Sequence, residues 1–406
     1  MSTMYRGRRR RRRRRSSAPL LLILVFALGL GGILLFTHIL PNRHAQDPKP
    51  EDHQQVDPGQ TDPGQTEDPG QTEDPGQTED PGQTEDPGQT EDPGQEESGG
   101  YARIEASDDQ QRYQYVYRVG DAGYEMYTYL PDVAKKYAAA VNTAADGLKG
   151  TADVYAITVP LSSSITMPDD LRGGMFGDQE AAEKSVLALL GDNVKAVPLY
   201  DTLMRHRTEN VYYRTDHHWT ALGAYYGYRS FCQVKGITPH ELTDYQTEEF
   251  PGFLGSFFKD CDNNEKMAAN PDTLVAYHPV SKSAQLVFTD TNGQQISWKI
   301  IMDVSDWSAN MKYNAFIGGD NPYTIITNPE VEGDSSCVVV KESFGNAMVP
   351  FLVDHYHTVH VIDYRYWSGN LADFVRNNGA QDVIFINNLS AIRSSYLMGK
   401  LQGMIG

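Results

Sequence analysis

Only three cysteines, Cys232, Cys261 and Cys337, occur in 406 residues, and no two of them form a CxxC pair. An odd number cannot pair completely within one chain, so no disulfide framework is indicated. Cys337 lies inside an apolar strand pattern and is expected as a buried thiol. The chain also lacks HExxH, which excludes a zincin-type metal helix, and GxSxG, which excludes the nucleophile elbow of the α/β-hydrolases. Large apolar side chains are missing after Val56 up to about position 100, and Lys and Arg are missing from positions 51 to 100. Such a stretch has no apolar surface to bury against the entropy of ordering, so it cannot fold alone.

What stands before that stretch is equally one-sided. Eight consecutive arginines, Arg8–Arg15, precede an apolar run from Leu20 to Leu40 that contains no charged residue. Roughly 20 apolar residues at about 1.5 Å each span a hydrocarbon core of about 30 Å. Arginines mark the side that stays in the cytoplasm. The reading is a basic cytoplasmic tail (1–18) and a single-pass membrane anchor (19–40), with everything beyond it outside the cytoplasm. A cleaved signal peptide is the competing reading; the run is long for one and Leu34, Leu35 and Phe36 offer no small-residue cleavage site. Anionic lipid is the nearest partner for the arginines.

Residues 41–100 read as a tether. TEDPGQ recurs five times between Thr66 and Gln95, with proline blocking regular structure and acidic pairs repelling one another. The formal charge of −19 divides unevenly: residues 1–50 hold 11 basic and 1 acidic side chains, and residues 51–100 hold 16 acidic ones. The remaining 24 basic and 37 acidic residues leave residues 101–406 acidic, which disfavours nucleic acid as a partner.

Residues 101–406 carry the folding pattern. Helices are expected at 132–147, 180–190, 219–234, 345–354, 371–377 and 390–401, and strands at 154–159, 194–198, 337–341, 358–362 and 382–386. This βα alternation implies a mostly parallel sheet with helices on its faces. Between 243 and 328 shorter alternating runs, such as those at 274–277, 285–288 and 297–302, read as a β-rich, partly antiparallel insertion.

Two segments carry chemistry. Ser343 follows the strand CVVVK and precedes a glycine and a helix, which sets it at the carboxyl end of a parallel strand, where ligands bind in open α/β sheets. The plain alternative is a serine that caps the helix. In Thr215-Asp216-His217-His218-Trp219 the acid lies two residues before the second histidine, a spacing that one turn closes into a carboxylate–imidazole hydrogen bond. Its plain alternative is Thr215 or Asp216 capping the next helix. Arg365, just past the strand ending at Ile362, and Asn346 are candidate donors to an oxyanion or substrate, with an Arg365–Asp363 salt bridge as the alternative. Asn387 and Asn388 are weaker donors at strand ends. Asp354, His355, His357 and His360 form a second polar cluster without metal-ligand spacing. Tyr212, Tyr213, Tyr225, Tyr226 and Tyr228 fit either a carbohydrate-stacking surface or a core.

TDHHWTALGAYYGY, YNAFIGGDNP, KESFGNAMVPFL and DYRYW, in this order, resemble the DHHW proteins, which are similar to the alginate O-acetyltransferases of the SGNH hydrolase superfamily. The resemblance covers most of residues 110–406. It implies an α/β/α sandwich with rearranged strand order, Ser343 as nucleophile, His218 as base, Asp216 as its orienting acid, and no role for His217. Glu342 departs from the aspartate more usual before the serine. No cofactor or metal is implied. The implied activity is O-acetyl transfer on a cell-surface polysaccharide, with a multi-span membrane O-acyltransferase as acyl-supplying partner. An esterase, and a non-catalytic glycan-binding or scaffold protein, remain as alternatives.

Overall fold

A computed structural model describes residues 101–405. The basic tail, membrane anchor and repeat tether expected before position 101 lie outside the described residues. Among the described residues no helix is long and apolar enough to cross a membrane.

The strands β1 (Gln110–Arg112), β2 (Val116–Val119) and β3 (Ala122–Glu125) form a small antiparallel sheet. Then follow α1 (Pro131–Leu148), β4 (Asp153–Val159), α2 (Gln179–Leu187), β5 (Val194–Pro198) and α3 (Ala221–Lys235). The next five strands are β6 (Gln246–Phe253), β7 (Asp272–His278), β8 (Gln285–Thr289), β9 (Gln295–Trp298) and β10 (Tyr323–Thr327). The last third runs β11 (Ser336–Lys341), α4 (Gly345–Leu352), β12 (Thr358–Asp363), α5 (Leu371–Asn377), β13 (Asp382–Asn388) and α6 (Ser395–Ile405).

Local chemistry accounts for the main elements. Pro131 opens α1 where its missing N–H costs nothing, and Val133, Tyr137, Val141, Ala144 and Leu148 recur at helical spacing as its buried stripe. Thr220 caps α3 by accepting from the Gly223 amide, and Gly236 closes that helix at φ 78°. All six residues of β11 are buried, the signature of a strand covered on both faces.

The main sheet has eight strands in the order β5-β4-β13-β11-β12-β10-β8-β9. The first five are parallel; β10, β8 and β9 continue the sheet by antiparallel pairing. Alternation along each strand sends side chains to two cores. Val338 and Val340 of β11 pack with Val154, Ala156, Val383 and Phe385 under α1 and α6. Cys337 and Val339 pack with Tyr155, Ile157, Ile384 and Ile386 under α3 and α4. Helices therefore cover both faces of a mixed sheet.

Three expectations change. The sheet is mixed, because β8, β9 and β10 join its edge rather than forming a layer of their own; of the five strands between 243 and 328, β6 and β7 alone stand apart, as a two-stranded ribbon. The terminal helix is broken into a short turn at Leu389–Ile392 and α6. The β1–β3 sheet has no counterpart in the sequence reading, since its strands are three or four residues long and show little alternation. The three cysteines are free and buried.

Candidate active site

The loop between Val211 and Thr220 is closed at its base. Tyr212 and Trp219 pair as an antiparallel bridge, the Tyr213 amide donates to His218 O (3.3 Å), and the Thr220 amide donates to Val211 O (3.0 Å). The tip is held from outside. Asp272 of β7 accepts from both the amide (2.8 Å) and hydroxyl (2.6 Å) of Thr215. Gly123 of β3 donates to Arg214 O (2.8 Å), and the Arg214 guanidinium pairs with Asp121 and Asp272. Just after β6, the Ser256 amide donates to Asp216 Oδ2 (2.7 Å). Gly255 makes this approach possible: a Cβ there would stand 2.1 Å from the same oxygen.

Within this clamp Asp216 Oδ1 accepts from the His218 amide (3.0 Å) and lies 2.5 Å from His218 Nδ1. Burial pushes the Asp216 carboxyl up, but the adjacent His217 and His218 and the hydrogen bonds from His218 and Ser256 outweigh it and hold the group well below the usual carboxylate range. An ionised carboxylate at Nδ1 requires the proton on that nitrogen, which leaves Nε2 as the acceptor. His218 Nε2 lies 2.8 Å from Ser343 Oγ. The imidazole stacks on Tyr313 (3.9 Å between centroids, 12° between planes), whose hydroxyl donates to Ser343 O (3.1 Å).

Ser343 stands on the turn from β11 into α4. That turn is tight enough that a Cβ on Gly345 would lie 2.6 Å from the Lys341 Cβ. The buried Trp219 indole donates to Phe344 O (2.8 Å), tying this turn to the histidine loop. Neither helix-capping alternative describes these residues. Phe344, without a side-chain bond, occupies the cap of α4, and Thr220 caps α3. Ser343 (9 % exposed), His218 (6 %) and Asp216 (5 %) are all nearly enclosed.

The expected oxyanion donors are otherwise engaged. Arg365 forms a bidentate pair with Asp363 through Nε (2.9 Å) and Nη2 (2.6 Å), and Nη2 lies 2.8 Å from Asp320. Asn346 Nδ2 donates to Asp320 (3.0 Å), Asn387 Nδ2 to the Tyr364 hydroxyl (2.9 Å), and Asn388 caps the turn at Leu389. The reason is electrostatic: Asp363 is fully buried and needs cationic partners, which Arg365 and the buried Lys341 supply. Glu342 accepts from the amides of Phe344 (3.1 Å) and Asn388 (3.0 Å), bracing the ends of β11 and β13. Burial pushes its carboxyl up, against the pull of Arg365 and those amides.

His217 turns aside, with Nδ1 2.6 Å from Ser256 Oγ, and burial followed by the neighbouring His218 pushes its imidazole pKa down. The ligand atoms of Asp216, His217 and His218 lie within 4.8 Å of one another, close enough for a cation, but each already has a hydrogen-bond partner. The second histidine cluster disperses. His355 shares a bond with the Tyr228 hydroxyl and His360 with the Tyr323 hydroxyl, while Asp354 accepts from the Val280 and Ser281 amides. Tyr212, Tyr213, Tyr225 and Tyr228 are core residues, and Tyr226 stacks on His206. The sequence reading missed Ser256, Asp272, Tyr313 and Asp320. Of these only Asp320 had a local signal, the GlyGlyAspAsn turn.

Residues 98–362 match the family described as DHHW protein. Among solved structures, a DHHW family protein from Eubacterium siraeum superposes with a TM-score of 0.67 at 26% identity, covering 75% of this chain and 100% of its own. PatB1 of Bacillus cereus superposes with a TM-score of 0.58 at 20% identity, covering 72% of this chain and 99% of its own. No curated protein matches the chain in sequence. With the match spanning more than half of its length, and the DHHW segment itself forming the loop that meets Ser343, the chain belongs to the DHHW protein family.

Proposed function

We propose that the chain is an extracytoplasmic, membrane-anchored O-acyltransferase that moves an acetyl group to a hydroxyl of a cell-surface glycan through an acyl-Ser343 intermediate. The observation that carries this reading is the unbroken line of hydrogen bonds from Asp216 through His218 to Ser343, 2.5 Å and 2.8 Å long. Asp216 fixes the tautomer and orientation of His218. His218 Nε2 takes the hydroxyl proton as Ser343 Oγ attacks the acyl carbon, then returns it to the leaving group. In the turn around Ser343 the amides of Phe344, Gly345 and Asn346 already donate to Glu342 and Ser343, so the Ser343 N–H is the one left to meet the developing oxyanion.

Deacylation repeats the step with the glycan hydroxyl in place of serine. The acetyl group, the glycan acceptor and a multi-span membrane partner that supplies the acyl group rest on the resemblance to alginate O-acetyltransferases. The anchor rests on the arginine run and the apolar segment after it.

The test incubates purified protein with an acetyl donor and a glycan acceptor and separates acetylated glycan from free acetate. Transfer is the expected result. Free acetate alone makes the protein an esterase, and neither product removes both readings.

A further inference from the structure

One carboxylate near Ser343 gathers three side-chain partners on a single oxygen. Asp320 Oδ1 accepts from Asn346 Nδ2 (3.0 Å) and Lys341 Nζ (3.2 Å) and lies 2.8 Å from Arg365 Nη2. Oδ2 makes none of these contacts among the described residues. The Asp320 side chain is 31 % exposed, whereas Lys341 (1 %) and Asp363 (0 %) beneath it are sealed. All three partners belong to the surroundings of the serine. Lys341 lies two residues before Ser343, Arg365 follows β12 beside it, and the Asn346 amide donates to Ser343 O (3.1 Å).

The chain accepts an unusual backbone to hold this residue there. Ile317, Gly318 and Gly319, immediately before Asp320, have φ of 49°, 75° and 79° in succession. A β-branched residue at positive φ is rare, and such conformations persist where surrounding structure holds them and concentrate at functional sites. The Ile317 amide is fixed to Ile300 O (2.8 Å) and the Gly319 amide to Phe316 O (2.9 Å), so the turn is braced by its neighbours.

From this geometry we infer that Asp320 is a positioning residue for the acceptor, its free Oδ2 accepting a hydrogen bond from a second hydroxyl of the sugar whose first hydroxyl is acylated. The inference rests on the proposed acyl-transfer reading. Charge balance selects the chemistry of the ligand. Asp320 and Asp363 are already matched by Lys341 and Arg365, so the cluster is neutral and attracts no ammonium group. Arg365 is spent on two carboxylates, so the cluster does not present a cation to a carboxylate or phosphate of the substrate either. A neutral polyol fits: one hydroxyl gives its proton to His218 Nε2 as its oxygen bonds the acyl carbon, the Ser343 Oγ–acyl bond breaks, and Oγ takes that proton from His218. Asp320 holds the other hydroxyl and is unchanged.

The test loads the full chain with acetyl from 4-nitrophenyl acetate. It then measures how the acyl-enzyme divides between water and either methyl β-D-glucopyranoside or 1-propanol, in the parent and in Asp320→Asn and Asp320→Ser. The expected result is a parent that prefers the sugar, and variants whose sugar-to-water ratio falls about tenfold while the propanol-to-water ratio moves far less, as loss of one charged hydrogen bond would give. Sugar and propanol ratios that fall together, or a sugar ratio that stays at the parent value, overturn the inference. So does a parent whose Ser343 takes up acetyl but passes none to the sugar, and so does failure of both variants to fold, which would make Asp320 a structural member of the ion cluster. A parent whose Ser343 takes up no acetyl overturns the proposed function instead.

Discussion

Ser343 stands on the parallel part of the main sheet, whereas Asp216 and His218 stand on a loop that the sheet does not carry. The serine turn inherits its position from β11, six buried residues paired on both sides by β12 and β13, with α4 leaving at once. The histidine loop inherits its position from outside: Asp272 of β7, the Ser256 amide after β6, and Gly123 of β3. One half of the site is therefore fixed by hydrophobic burial and the other by a small number of directed hydrogen bonds. Trp219 and Tyr313 join them, through Phe344 O and Ser343 O. Burial energy is spread over many contacts, while each directed bond is a separate point of failure.

The largest effect that sharpens this contrast is expected from Asp216→Asn. The amide keeps the shape but favours the wrong His218 tautomer, so kcat for 4-nitrophenyl acetate should fall by about 10³- to 10⁴-fold. The melting temperature should fall far less than kcat, because the parallel core is untouched. Loss of folding in step with activity would mean that the loop and the core are one structural unit.

A smaller loss is expected from Gly255→Ala, a position outside the proposed triad. Its Cβ would meet the Asp216 carboxylate, so the acid must move, and displacement of a catalytic group by about 1 Å costs about 10²-fold. Gly345→Ala, on the serine side, makes the converse case: its contact is with Lys341 beside the core, so stability should fall along with activity. Steady-state rates and thermal melts of the two variants side by side would break the comparison if both behaved alike.

The smallest effect is a pH slope. Asp216 and Glu183 are both buried acids, but in opposite settings. Glu183 on α2 accepts from Thr158 and from the Leu199 and Tyr200 amides, and burial still pushes its carboxyl up to about 7. For a folded pKa above the unfolded value of about 4.3, the folded state holds the extra proton, so stability falls as pH rises from there to about 7. Asp216, with its folded pKa depressed, contributes stability above its unfolded value of about 3.9 and loses it as pH falls below. Denaturant titrations at pH 5 and pH 7 should show the parent losing stability over that interval and Glu183→Gln losing less. Equal slopes would remove Glu183 as the cause.

The same contrast governs what could be read in the chain beforehand. The parallel strands and their helices were legible because CVVVK, VYAITV and DVIFIN are continuous apolar runs and α1 repeats its apolar residues at helical spacing. Ser343 was legible because it follows such a run, and Asp216 and His218 because their spacing closes in one turn. The supports were not. Asp272 is 57 residues from Thr215, Ser256 is 40 from Asp216, and no local period records a hydrogen bond across such a distance. Arg365 was legible as a cation at the sheet edge with a salt bridge to Asp363 as its alternative, which the structure shows, but its second contact, to Asp320, has no local signal because the two residues are far apart in the chain. The antiparallel edge is not legible as such, because the runs at β8 and β9 look alike whether they join the main sheet or stand alone.

Activation of Ser343 by His218 can be read out by covalent labelling. Intact protein treated with a fluorophosphonate at neutral pH should gain one adduct, mapped by peptide mass spectrometry to Ser343. Ser343→Ala and His218→Ala should lose it while keeping the parent's circular dichroism. Equal labelling of the parent and Ser343→Ala, or an adduct mapped elsewhere, would contradict the account.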